Sequence, residues 1–485
     1  MIDRPSSFNV ERWFRRVSAC LCSLFTLIPG DALAHASGRG HVLLLPTGHY
    51  LIGGALAVAA SFVVLLFVSA NTLERVWAAR LRIGSVPTDA LRLPLSLISF
   101  GLLAVLVAAG FFGSRDPLSN PLPLTIWTLV WVGLTLAQGV FGNVWACIDP
   151  WYGPWRIVTA LLGRSPPDTA PWRLPRWIGM WPAVLLFFAF AWFELIYPAP
   201  DDPGRLARTV GIYWLFSFAM MLAFGHDTWS SRGEFLSVFF GMVSRFGIVE
   251  TERVGGGNGL ALCLPGAKLA VTPALPFSGT LFLLLALASV SFDGLSKTFF
   301  WFGLNGLNPL EYPGRTALIG INSAGLIAAF AVLTIVFLLS VAAGERLSGS
   351  RQSFAIAAGT FVWSIVPIAL AYHFSHYLTA LLVNGQYALV ALSDPFSLGW
   401  NLFGTANVPV SAAIAAGSDA AWIVWNAQAA AIVAGHVVAV LAAHLLAYRL
   451  HETPRTAALS QLPPTLMMIG YTVFGLWLLS TPTAA

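Results

Sequence analysis

Apolar runs of about twenty residues, the length that covers roughly 30 Å of hydrocarbon, recur ten times along this chain. They lie near 50–70, 95–113, 123–143, 177–197, 208–225, 274–292, 316–341, 353–383, 420–447 and 462–481. Short polar segments separate them. The pattern predicts an all-α fold, a polytopic transmembrane helical bundle forming a single membrane-embedded domain over residues 35–485. Ahead of it, Arg12, Arg15 and Arg16 precede the short apolar run "VSACLCSLFTLIPG" and then "DALA", which ends at Ala34. A basic region, a short apolar core and an Ala-x-Ala site are the parts of a secretory signal peptide. Residues 1–34 are therefore expected to be a signal peptide or signal anchor, with His35 first in the mature chain after cleavage.

Charge supplies the orientation. With the mature N-terminus outside, sixteen Arg and Lys residues fall in inner loops and six in outer ones, as the positive-inside rule asks. Composition agrees: 57% of residues are hydrophobic and 10% charged, against about 25% charged in soluble domains. The net charge of +5 is spread over short loops, which excludes a nucleic-acid surface. The partners to expect are a lipid bilayer and a small apolar molecule or ion. Trp and Tyr gather in "DPWYGPW" and "FFWFG", where spans meet water. Residues 233–248 read as an interfacial helix. The following "RVGGGNGLALCLPG" reads as a glycine-rich loop, lacking the Lys-Ser/Thr of a phosphate-binding P-loop. Cys147 and Cys263 are too few and too far apart for a disulfide framework.

Ionisable groups at membrane depth are costly and mark functional interiors. Glu194, Asp293, the pair His373 and His376, and the pair His436 and His444 qualify; His226, beside Asp227, reads as interfacial. His373 and His376 share a helix face, either as two imidazoles for one metal ion or as polar groups at a helix end. At similar depth, His376 and His436 could converge with Asp293 on Zn, Fe or another divalent metal, or serve as axial ligands of a haem. Small residues around His436 admit a close helix neighbour. His444 is a further cofactor-binding candidate, eight residues on. A mature N-terminal His35 would offer its amine and imidazole together, an arrangement suited to copper.

Taken together, "ALAHASGRG", "FGNVWACIDPWYGPWR", "SFDGLSKT", "AYHFSHYL", "SDPFSLGWNLFG" and "AAIVAGHVVAVLAAH" resemble bacterial membrane proteins of the fenitrothion hydrolase family. The resemblance spans almost the whole chain. It implies a bacterial inner-membrane protein that cleaves the phosphotriester bond of organophosphates, and it brings no catalytic residues with it. No Gly-x-Ser-x-Gly elbow is present, which leaves a metal-bound hydroxide as the nucleophile to consider. In that reading His376, His436 and Asp293 are metal ligands, His373 is a ligand or proton shuttle, and His373 and Asp293 are the catalytic candidates; the His35 terminus is a separate metal site. The rival class is a membrane transporter, or a metal- or haem-binding component, using the same groups.

Overall fold

A computed structural model of the chain describes residues 47–86, 88–164, 170–254, 257–308, 310–311, 314–411 and 417–483. The leader, its cleavage site and His35 lie outside the described residues. Among the described residues ten helices are long and apolar enough to cross a membrane, and the chain is an integral membrane protein. The first five spans are α1 (Thr47–Leu65), α2 (Thr88–Phe112), α3 (Pro121–Phe141), α4 (Trp181–Leu195) and α5 (Pro203–Phe224). Two short helices follow, α6 (His226–Arg232) and α7 (Phe235–Val243). The remaining spans are α8 (Phe277–Ser296), α9 (Arg315–Ser348), the pair α10 (Phe354–Phe361) and α11 (Ile365–Ser393), α12 (Ser418–Leu450) and α13 (Pro454–Ser480).

Local chemistry sets several helix starts. Asp202 caps α5 by accepting from the Arg205 amide at 2.7 Å, with Pro203 at the first helical position, where a missing N–H costs nothing. Glu234 caps α7 by accepting from the amides of Leu236 and Ser237. Inside α3, Leu124–Leu134 winds as a π-helix, a geometry often found at functional sites.

Two loop expectations change. The glycine-rich stretch is a hairpin of β2 (Val249–Val254) and β3 (Gly257–Cys263), joined by β1 (Arg80–Val86) in an antiparallel sheet of order β1-β3-β2. Strand pairing satisfies backbone groups that a loop would leave to water. The segment expected at the interface contains α7, but Phe235, Phe239 and Phe240 are buried, because an aromatic helix this apolar gains more from packing than from lying on a surface.

α8 is the central helix, with every side chain from Ser278 to Asp293 buried. On one side, α2 to α5 and α7 form an aromatic group in which Phe187 packs on Phe239 and Phe282, ring centres 5.8 and 5.2 Å apart. On the other, α1, α9, α12 and α13 pack together, with α8 and α11 between the two groups. Gly344 of α9 lies directly against the Ser460 carbonyl of α13. Pro464 follows Ser460 by four residues and has no N–H to bond that carbonyl, so a glycine can approach it closely.

Candidate functional site

The ionisable groups meet where the two helix groups adjoin. Glu194 is next to last in α4, Asp293 stands in the last turn of α8, and His376 and Tyr377 lie in the middle of α11. His376 Nε2 is 2.5 Å from Asp293 Oδ2, and Lys297 Nζ is 2.6 Å from Asp293 Oδ1. Tyr377 O–H reaches two carboxylates, Glu194 Oε1 at 3.0 Å and Asp293 Oδ2 at 3.2 Å. A phenol has one proton, so it serves one carboxylate at a time. Asp293 is buried, whereas the His376 side chain is 24% exposed and that of Lys297 50%. The cluster is thus anchored in the protein and open to solvent on one side.

His376 Nδ1 has no hydrogen-bond partner among the described residues. With Nε2 held by a carboxylate, the imidazole is oriented and its second nitrogen is left free, the arrangement that suits a general base. His373, one turn earlier, is buried and makes its hydrogen bond with the Trp131 carbonyl at 3.0 Å. It ties α11 to the π-helical part of α3.

The expected convergence with His436 is not found. Its Nδ1 bonds the Ile432 carbonyl at 2.8 Å, and its ring faces Tyr372 and Tyr471. His444 Nδ1 bonds Gln461 Oε1 at 3.0 Å. Among the described residues no three His, Cys, Asp or Glu side chains group as a metal site. Asp293 and His376 are in direct contact, Glu194 joins them only through the Tyr377 hydroxyl, and the Lys297 ammonium already sits against the Asp293 carboxylate. Similar depth on two helices does not put two side chains on facing sides.

Beside the cluster, an apolar cavity of about 710 Å³ runs between α2, α3, α4, α5 and α7. Trp131 is its wall toward the charged groups. The Trp131 indole N–H is buried without a hydrogen-bond partner, beside the Glu194 carboxylate and the Tyr377 hydroxyl. None of Glu194, Asp293, His376 and Tyr377 lines the cavity itself.

Neither a protein-family model, nor a curated protein, nor a solved structure matches the chain.

Sequence reasoning missed Lys297 and Tyr377. Lys297 had a signal, since it follows Asp293 by four residues and i,i+4 charges meet on a helix. Tyr377 had only its place beside His376. A second cluster, built around the buried pair His226 and Asp149 and reaching solvent through Asp227, also went unread as such. His226, expected at the interface, is 2% exposed, 3.0 Å from Asp227 Oδ1 and 3.4 Å from Asp149 Oδ1. Burial alone would lower the His226 pKa, but hydrogen bonds to Asp149 and Asp227 outweigh it and hold the imidazolium above its ordinary range. Asp149 also accepts from the amides of Trp151 and Tyr152, which marks this cluster as a brace for the chain after α3.

Proposed function

We propose that this chain is a bacterial inner-membrane hydrolase of lipophilic phosphotriesters, with the Asp293 end of the bundle facing outward. One observation carries the reading: His376 is fixed through Nε2 on Asp293 at 2.5 Å while Nδ1 stays without a partner among the described residues, in a side chain that reaches solvent. The resemblance to the fenitrothion hydrolase family supports it, as does the apolar cavity next to the cluster, which suits the aryl and alkyl parts of such an ester.

The chemistry these residues support is hydrolysis by an activated water. His376 Nδ1 takes a proton as water oxygen attacks phosphorus, and Asp293 stabilises the imidazolium that forms. The phosphorus–aryloxide bond breaks, the aryloxide leaves with the electron pair, and the proton returns from His376 to solvent or to the leaving group. The Lys297 ammonium balances the negative charge that develops on the phosphoryl oxygens.

The test is release of nitrophenolate from a nitrophenyl phosphotriester by the purified protein. His376→Gln and Asp293→Asn are expected to lower kcat by roughly 10²–10⁴-fold, the usual contribution of a positioned base, while His49→Gln leaves it unchanged. Wild-type protein without turnover, or a folded His376→Gln variant with full turnover, overturns the reading.

A further inference from the structure

The histidines left over from the site share an unusual property. His436 and His444 are 0% and 1% exposed, each has its Nδ1 bonded to an oxygen, and each leaves Nε2 buried with no hydrogen-bond partner. The Leu65 carbonyl lies near the His444 ring without completing a hydrogen bond. At the end of α12, His451 Nε2 stands 3.2 Å from Glu345 Oε1 of α9, with both groups almost fully buried. Buried polar atoms are nearly always satisfied by protein or by ordered water, and a neutral imidazole with Nδ1–H committed presents at Nε2 a bare acceptor. Water is the ligand that fits it.

These nitrogens follow one another along a single helix. His436 and His444 are about 12 Å apart along α12, and His444 and His451 about 10 Å, at 1.5 Å per residue. The facing side of α13 supplies polar groups in the intervals. Gln461 meets His444, and Thr465 and Thr472 are buried one and three turns further on. Beyond His436 stands Tyr471, whose hydroxyl bonds Ser291 Oγ and whose carbonyl accepts from Tyr372 O–H at 3.1 Å. Ser291 is two residues from Asp293, and Tyr372 one helical turn from His376. The series therefore begins at Glu345, at one end of the bundle, and ends beside the Asp293 cluster, at the other.

We propose that α12 carries a proton path, completed by buried water, from the Glu345–His451 pair to the Asp293–His376 cluster. Each imidazole takes a proton on Nε2 from the water on one side and hands a proton from the same nitrogen to the water on the other. Nδ1–H stays anchored, no bond to carbon changes and no electron moves. Chains of intramembrane carboxylates and histidines are suited to this task, and a pair of hydrogen-bonded tyrosine and serine hydroxyls extends them. The path does not depend on hydrolysis at the outer cluster.

The test is proton flux in liposomes holding the purified full-length chain, with a pH-sensitive dye inside and a potassium diffusion potential as the driving force. Wild-type liposomes are expected to acidify at least tenfold faster than protein-free ones. His444→Phe and His436→Phe should bring the rate close to the protein-free value, and His49→Phe, on the exposed start of α1, should leave it alone. Thr465→Val keeps the side-chain shape and removes only the hydroxyl, so its slower flux separates a relay from a packing defect. A wild-type rate equal to that of empty liposomes overturns the proposal. So does wild-type flux in the folded His444→Phe and Thr465→Val proteins.

Discussion

His226 is surrounded by Asp149, Asp227 and the hydroxyl of Ser230, with Arg92 beyond Asp149 at 3.9 Å. Its folded-state pKa is raised above the ordinary 6.5, burial opposing the shift and the two carboxylates overcoming it. A group raised in this way stabilises the fold fully below its unfolded pKa and loses that contribution as pH climbs through the folded value. Thermal unfolding in detergent should therefore show the midpoint falling as pH climbs above about 6.5, the ordinary histidine value, from this source. Asp149→Asn keeps an oxygen for the Trp151 and Tyr152 amides and removes the charge, so it should flatten that slope. An unchanged slope in the variant would show that the Asp149 charge does not hold the His226 proton.

Helix contacts show how far single glycines fix the packing. A Cβ at Gly344 would run into the Ser460 carbonyl, and one at Gly359 into the Leu275 backbone. Backbone cannot move aside as a side chain can, so Gly344→Ala should destabilise the protein by about 1–3 kcal/mol, the usual cost of overpacking. Gly320, in the same helix α9, has nothing within 4 Å of its Cβ position. There the alanine variant should be neutral, or more stable by about 0.5–1 kcal/mol, the usual helix penalty of glycine. Equal midpoints for the two variants would contradict the close approach of α9 and α13. At this scale the ten spans were legible one for one, because apolar length is a strong signal. Their ends were less so. α13 begins at Pro454, eight residues before the expected 462, because Pro463 and Pro464 are accommodated inside the helix. α11 runs on past 383 because Gln386 bonds the Leu382 carbonyl and the Ser411 backbone instead of ending the helix.

At the scale of the molecule, α8 and α11 separate an aromatic group that encloses a cavity from a group threaded by buried histidines, and Glu194, Asp293, His376 and Tyr377 stand on the boundary. Composition made Asp293 and His376 visible as charges without a reason to be in lipid. It could not show that they touch, since the rotation of each helix about its axis depends on packing across the whole bundle. The cavity was beyond sequence altogether, because its walls come from helices far apart in the chain, from α2 to α11. Trp127, Trp131, Trp145, Trp151, Trp192 and Trp214 all line it, which makes its occupancy measurable without turnover. A nitroaromatic ester entering the cavity should quench tryptophan emission saturably. Ala189 also lines the cavity, and Ala189→Phe fills part of its volume without touching the charged cluster. That variant should weaken the saturable quenching about tenfold or more, as lost apolar contact of about 1.4 kcal/mol implies. Quenching that stays linear in wild-type protein, or is the same in the variant, would place the ester in the surrounding lipid or detergent. If the ester is bound in the cavity, His376→Gln should leave the quenching curve unchanged while it removes nitrophenolate release, because His376 is not among the residues that line the cavity.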